Sequence, residues 1–170
     1  MAYENRLDIS KDDLKIWLGK CYGLDAVIGD TRPGYMSTVV WLKEQTVFYL
    51  LKVYGDENRD QLRFGITVND RARYAGLPVA ECVRTRQGEY LVDLGGHPVA
   101  LWSHLPGDVF TSGNHKQLAS AGEMLGRFHS ATEQVDIDGE PARFLDVVFR
   151  DLQTVWDRVN DVEGGKLVVD

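Results

Sequence analysis

The sequence predicts an α+β fold in which a small antiparallel sheet with one packed helix is followed by a helical part. Three observations lead to this prediction. Helical and strand-like hydrophobic patterns alternate over residues 10–101. Short turn sequences join neighbouring strand-like runs, which favours antiparallel pairing. After residue 107, the apolar pattern is helical only.

The first element is a helix that begins after Ser10. Ser10 and Asp13 have the spacing of a capping box. Apolar residues at 14, 17, 18 and 22 share one face, and Gly23 can end the helix. From Asp25 to Tyr54 the pattern predicts two or three antiparallel strands, with the turn "DTRPGY" before "STVVWL" and the pair Lys43-Glu44 before "TVFYLLKVY".

The second helix of the first half is predicted from a polar segment that closes at Gly76, with Leu62, Ile66, Arg73 and Tyr74 at roughly helical spacing. Strand character returns in "GLPVAECVRT" and "EYLVDLGGHPVALWSHL", so that the predicted sheet has about five strands. Two amphipathic helices follow, in "HKQLASAGEMLGRFHSAT" and "PARFLDVVFRDLQTVWDRV".

Composition excludes several kinds of partner. The formal charge of −7 and the pI near 5.1 argue against a general affinity for nucleic acid or for an anionic membrane. The two cysteines, Cys21 and Cys82, lack metal-ligand spacing, so neither a disulfide framework nor a zinc site is expected. The N-terminus lacks a signal peptide's apolar core, and no run approaches the roughly 18 apolar residues of a membrane span. A cytoplasmic location is expected.

Lys52 is a charged residue within a predicted strand. It interrupts the apolar and aromatic run "TVFYLLKVYGD". Burying its ammonium group costs several kcal/mol unless an anion compensates the charge. The alternative is a lysine on an edge strand, whose stem lies on apolar surface while its head reaches water.

Four segments in a fixed order carry a resemblance to a known family. They are "FYLLKVYGD", "RYAGLPVAECVRTRQGEYLV", "PVALWSHLPG" and "LASAGEMLGRFHSAT". Together they resemble the N-terminal half of the aminoglycoside phosphotransferase family, which is similar to choline and homoserine kinases and shares the protein-kinase-like fold. The resemblance implies an N-terminal nucleotide-binding lobe at 1–101, an inter-lobe linker at 102–107, and the start of a truncated helical C-terminal lobe at 108–170.

The resemblance also implies a role for Lys52. In such kinases a lysine on the third strand contacts the α- and β-phosphates of ATP. The turn "TRPGY" would cover the phosphates, with Gly34 allowing the backbone to approach closely and Ser37 lining the same cleft. Read without the resemblance, Gly34 marks a plain hairpin turn and Ser37 the start of a strand.

The linker "LWSHLPG" would bind adenine through its backbone. Ser103, His104 and Leu105 are the candidates, and their side chains matter little to this role. Trp102 is expected to be a core residue rather than a platform for the base.

In the family, a glutamate on the following helix holds the lysine. Counting back from "AGLPV" places that position near Gly65, which has no side chain. Asp60 and Glu57 are the candidate partners upstream, and Asp70 lies downstream. Each of these acids is also explained as a solvated surface charge.

Groups for the chemical step are missing from the sequence. Phosphoryl transfer in this fold needs an aspartate that orients the acceptor, an asparagine and a metal-binding aspartate. The nearest string, "FRDLQTVW", has Trp156 where the asparagine is required, and Asp151 is assigned to a helix surface. No catalytic or metal-binding residue is therefore expected in this chain, and the ligands of the Mg that accompanies ATP are expected in a missing C-terminal part.

These inferences lead to an expected function. The chain would be the nucleotide-binding portion of an ATP-dependent phosphotransferase that transfers the γ-phosphate to a hydroxyl of a small-molecule acceptor, and it would be inactive alone. One alternative is a complete short protein, a non-catalytic module that binds a nucleotide or a partner. Another is an unrelated α+β interaction module. The uncovered apolar stripes of the last two helices favour the first.

Overall fold

The computed structural model describes residues 7–34, 37–55 and 59–133, and these residues form an α+β fold, as predicted. The predicted helix within "PARFLDVVFRDLQTVWDRV" lies outside the described residues. In chain order the elements are α1 (Lys11–Cys21), β1 (Val27–Pro33), β2 (Ser37–Glu44), β3 (Val47–Tyr54), α2 (Arg59–Tyr74), β4 (Cys82–Val83), β5 (Val92–Leu94), β6 (His97–Ser103) and α3 (His115–Thr132).

The strands form one antiparallel sheet of six, one more than the approximate number predicted. Its order is β1-β2-β3-β6-β4, and β5 also pairs with β6. The strand β3 therefore lies inside the sheet, between β2 and β6. Every residue of β3 from Tyr49 to Val53 has a partner on both sides, which fixes the direction of each of its side chains.

Helix α1 covers one face of this sheet. Its N-terminus is capped as predicted, since Ser10 Oγ accepts a hydrogen bond of 3.1 Å from the Asp13 N–H. Leu14 and Leu18 are its buried residues. They pack on a core made of alternate residues of the inner strands, namely Val40, Leu42, Leu51, Val53, Val99 and Leu101. All of these strand residues are 0% or 1% exposed.

Helix α2 packs on the opposite face, because the residues it contacts alternate with those beneath α1. Buried Ile66 lies in a second cluster with Cys82, Leu91 and Ala100. Polar contacts fix the helix to the chain that follows it. Asn69 Nδ2 donates to the Ala80 carbonyl at 2.7 Å, and Arg73 pairs with Glu81 at 2.8 Å. Together with the packing of Ile66 on Ala100 of β6, these contacts hold α2 against the sheet.

Helix α3 has no buried residue among those described. Its predicted apolar stripe forms on a regular helix, yet Leu118 and Leu125 are 60% and 56% exposed. Cys21 and Cys82 are both free thiols. Across the described ranges, we find no helix with the length and apolar character that a bilayer span requires.

Candidate functional site

Lys52 lies on the sheet face that carries α2. The pairing register places Val39, Lys52 and Ala100 side by side across three strands. The adjacent row on the same face consists of Trp41, Leu50 and Trp102. We call these two rows the cleft face. Because β3 is an inner strand, the alternative of an edge-strand lysine does not describe Lys52.

The two faces of the sheet differ in exposure. Beneath α1, alternate residues of β2 and β3 are fully buried, whereas Val39, Trp41, Leu50 and Lys52 on the cleft face are only partly buried. Lys52 therefore lies among partly accessible side chains of the inner strands. A partly exposed apolar surface with one charged group is typical of a ligand site.

The ammonium group of Lys52 contacts an aromatic ring. Its Nζ lies 5.2 Å from the centroid of the Trp102 indole. Among the described residues, no carboxylate oxygen lies within 4.0 Å of this Nζ. Burial lowers the pKa of Lys52, and the nearby Cys82 opposes this only in part. An anion beside the ammonium would raise this pKa again, because it favours the charged form.

The candidate acidic partners occupy other places or lie outside the description. Asp60 is 84% exposed and forms an ion pair of 3.3 Å with Arg63. Asp70 accepts a hydrogen bond from the Tyr90 hydroxyl. Glu57 lies outside the described residues. Gly65 is exposed, so the position where a partner was expected does not face the sheet. Pairing of Lys52 with Asp60 or Glu57 stays a prediction.

Gly34 and Ser37 flank the hairpin that joins β1 to β2. The Gly34 N–H donates to the Ser37 carbonyl at 3.0 Å. Ser37 pairs with Tyr54, one row beyond Val39 and Lys52, and strand alternation puts its side chain on the cleft face. The position of this hairpin is therefore consistent with the predicted cover over the phosphates. Contact of Gly34 and Ser37 with a nucleotide stays a prediction.

Replacing Gly34 by alanine is expected to distort this hairpin. A Cβ at Gly34 would lie 2.8 Å from the Ser37 carbonyl oxygen, a backbone atom that cannot move without shifting β2. We expect Gly34→Ala to lower the free energy of unfolding by about 1–3 kcal/mol, as overpacking does, measured by urea titration. Gly65→Ala is the matched control, because nothing lies within 4 Å of its added Cβ. It should stabilise the helix by up to about 1 kcal/mol. Equal effects of the two changes would contradict the steric argument.

At the other end of the site, the structure separates the three linker candidates. The Ser103 N–H donates to the Glu81 carbonyl at 2.8 Å, and the His104 N–H donates to the Phe48 carbonyl at 3.0 Å. Ser103 Oγ accepts from the Glu81 N–H. The Leu105 N–H has no acceptor among the described residues, and Leu105 is 46% exposed. Of the three, Leu105 retains a backbone donor for a ligand.

The rings of Trp41 and Phe48 near the linker were not predicted as part of the site, and His104 was predicted only for its backbone groups. The His104 ring lies 5.2 Å from the Trp41 ring and 6.2 Å from the Phe48 ring, between centroids. These rings form an apolar wall at the end of the cleft face nearest the linker. The sequence signal was present only as alternation in "STVVWL"; the pairing that brings Trp41 to His104 is tertiary.

Other features of the described chain offer less chemistry. A groove of about 350 Å³ is lined by Arg71, Tyr74, Ala75, Ser130 and Ala131, away from Lys52. Within the described ranges there is no group of three or more His, Cys, Asp or Glu side chains placed to hold a metal ion. The side chains of the described residues thus do not fit a magnesium ion held by protein ligands.

Known proteins resemble this chain in sequence and in structure. A homoserine kinase of Beijerinckia indica is 28% identical over 159 residues, which cover 91% of this chain and 49% of that protein. A homoserine kinase of Zymomonas mobilis is 31% identical over 84 residues, which cover 49% of this chain and 26% of that protein. The chain thus matches less than half the length of each relative.

A solved structure has the same fold. An amicoumacin kinase in complex with AMP-PNP and Ca²⁺ superposes with a TM-score of 0.64, at 14% identity, over 77% of this chain and 42% of that one. In addition, the model of the phosphotransferase enzyme family matches residues 32–165, most of the sequence. That range contains the β2–β3–α2–β6 unit with Lys52, and the chain belongs to the phosphotransferase enzyme family.

Proposed function

We propose that this chain binds Mg-ATP on the cleft face and is the nucleotide-binding portion of a small-molecule kinase. One observation carries the proposal: Lys52 is partly buried on an inner strand, with an aromatic contact and no carboxylate within 4.0 Å among the described residues. A phosphate oxygen would supply the missing negative charge. Kinase relatives support the choice of anion, since the amicoumacin kinase was solved with AMP-PNP.

Each end of the nucleotide has a proposed contact. Lys52 would bind the α- and β-phosphates by charge, beneath the hairpin at Gly34 and Ser37. The adenine would lie toward the linker, where the Leu105 N–H is available and the rings of Trp41 and His104 provide an apolar surface. Ser103 and His104 would contribute only their carbonyl groups, because their N–H groups are already bonded within the sheet.

In the complete reaction, the γ-phosphate would pass from Mg-ATP to a hydroxyl of a small-molecule acceptor. The sequence contains neither the acceptor-orienting aspartate loop nor the metal-binding strand that the reaction needs. We therefore propose that these residues alone bind the nucleotide without transferring phosphate, in the cytoplasm, where Mg-ATP is available. A transfer rate that persists in a pure preparation of the chain, and is abolished by Lys52→Met, would contradict this part of the proposal.

The test of binding is a calorimetric titration of Mg-ATP in two buffers of different ionisation enthalpy. Because burial lowers the pKa of Lys52 from 10.5, an anion beside it raises the pKa again and the complex takes up protons. Uptake should grow as the pH approaches the lowered pKa, and affinity should fall as the pH rises through it. A folded chain that binds no Mg-ATP near neutral pH would refute the proposal.

A non-catalytic module remains the second candidate, because the exposed apolar residues of α3 fit a protein partner as well as the remainder of a helical lobe. Leu118 and Leu125 are each more than half exposed among the described residues, as expected for a surface that contacts another protein. This candidate predicts a stable complex with a partner whose affinity does not change when Lys52 is replaced.

A further inference from the structure

We propose that Trp102 is a positioning residue for Lys52, whose indole face takes the orienting role that a helix carboxylate would otherwise have. This inference rests on the proposed nucleotide site. Lys52 Nζ lies 5.2 Å from the Trp102 centroid, within the distance at which an ammonium is attracted to the face of an aromatic ring. Tryptophan is the most favourable ring for this interaction.

The sheet register makes this contact a built feature. Lys52 pairs with Ala100, and Trp102 follows Ala100 by two residues on β6. The two side chains are therefore diagonal neighbours on one face, a separation that long side chains can bridge. Because Ala100 is small and fully buried, the space above it is left to the lysine stem and the indole.

The indole is held by packing. Trp102 packs against the cluster of Ile66, Cys82, Leu91 and Ala100. Its Nε1 is buried and has no hydrogen-bond acceptor among the described residues. Because no hydrogen bond orients this ring, the neighbouring side chains set its orientation. In that orientation the face of the ring points toward Lys52.

The acidic side chains of helix α2 contact residues other than Lys52. Asp70 accepts from the Tyr90 hydroxyl, and Asp60 contacts Arg63 while 84% exposed. The aromatic face is the one group on the described chain for which a contact with the Lys52 ammonium is found. It can fix the direction of the charge without neutralising it, so the full charge remains for a phosphate.

The test replaces Trp102 with tryptophans that carry one, two or three ring fluorines. Fluorine withdraws electron density from the ring face but barely changes its shape, so the fold should survive. We expect the pKa of Lys52, followed by NMR of labelled lysine, to fall stepwise with fluorine number. Affinity for Mg-tripolyphosphate should fall by about threefold over the series. This probe has no base, so contacts with adenine cannot contribute.

Controls separate the alternatives. The same fluorination at Trp17, which lies on α1 against Tyr22, should change neither quantity. A flat series at Trp102 would overturn the inference, and a loss of affinity in Glu57→Gln or Asp60→Asn would then assign the orienting role to that carboxylate. If the unmodified chain binds neither Mg-ATP nor Mg-tripolyphosphate, the proposed function fails, while the pKa series still decides the role of Trp102.

Discussion

Lys52→Met is expected to weaken Mg-ATP binding by roughly tenfold to a hundredfold, the range for loss of a hydrogen bond to a charged group. Methionine keeps the apolar stem on the cleft face but removes the ammonium. The same change should leave the fold intact, because the buried charge is already disfavoured and its pKa is lowered by burial. Calorimetric titration of Mg-ATP, with urea unfolding of the same samples, measures both effects.

Lys15→Met is the matched control for this experiment. Lys15 lies on α1 and forms an exposed ion pair of 2.9 Å with Asp25, away from the cleft face. Like Lys52→Met, the Lys15→Met substitution removes one positive charge. Exposed ion pairs contribute at most about 1 kcal/mol to stability. No change in nucleotide affinity is expected. If both variants weaken binding equally, the nucleotide senses net charge only, and the specific contact with Lys52 is excluded.

Leu18→Ala is expected to lower the free energy of unfolding by about 3 kcal/mol, which is typical of a buried leucine. Leu18 is 0% exposed and joins α1 to the face of the sheet opposite Lys52. Removal of its side-chain atoms leaves a cavity between the helix and β2–β3. The midpoint of urea unfolding measures the loss. Nucleotide affinity of the folded protein should stay unchanged, because the cavity opens on the other face.

Ile16→Ala tests the assignment of faces on the same helix. Ile16 is 56% exposed, so its truncation should change stability by no more than about 0.5 kcal/mol. A loss at Ile16 as large as that at Leu18 would mean that α1 packs in a different rotation from the one described here.

Much of the fold could be predicted from local chemistry. Ser10 and Asp13 formed the predicted cap, and Gly23 has the left-handed φ of 75° that ends the helix. The antiparallel strands, α2 and α3 were predicted near their observed positions. In each case the signal was local: a cap, a turn, or a period of two or 3.6 residues acts within a few residues of its own position.

The sheet order could not be predicted in the same way. No local pattern indicates that β3 pairs with β6, or that β4 joins the opposite edge of β6. The β3–β6 pairs join residues about fifty positions apart, and their register depends on how both faces of the sheet are covered. The register decided that Lys52 meets Trp102, and the packing of α2 on the sheet leaves Gly65 exposed.

The sequence by itself determined the class of the protein and the order of its elements, and it singled out Lys52 as a charge within an apolar strand. Those properties follow from residue type and short-range spacing. Only the tertiary structure decided that β3 is an inner strand, that α1 buries the centre of one face, and that the other face brings Lys52 together with aromatic side chains from β2 and β6. The physical reason is that the surroundings of a buried charge are contributed by distant segments, and these meet only when the sheet forms.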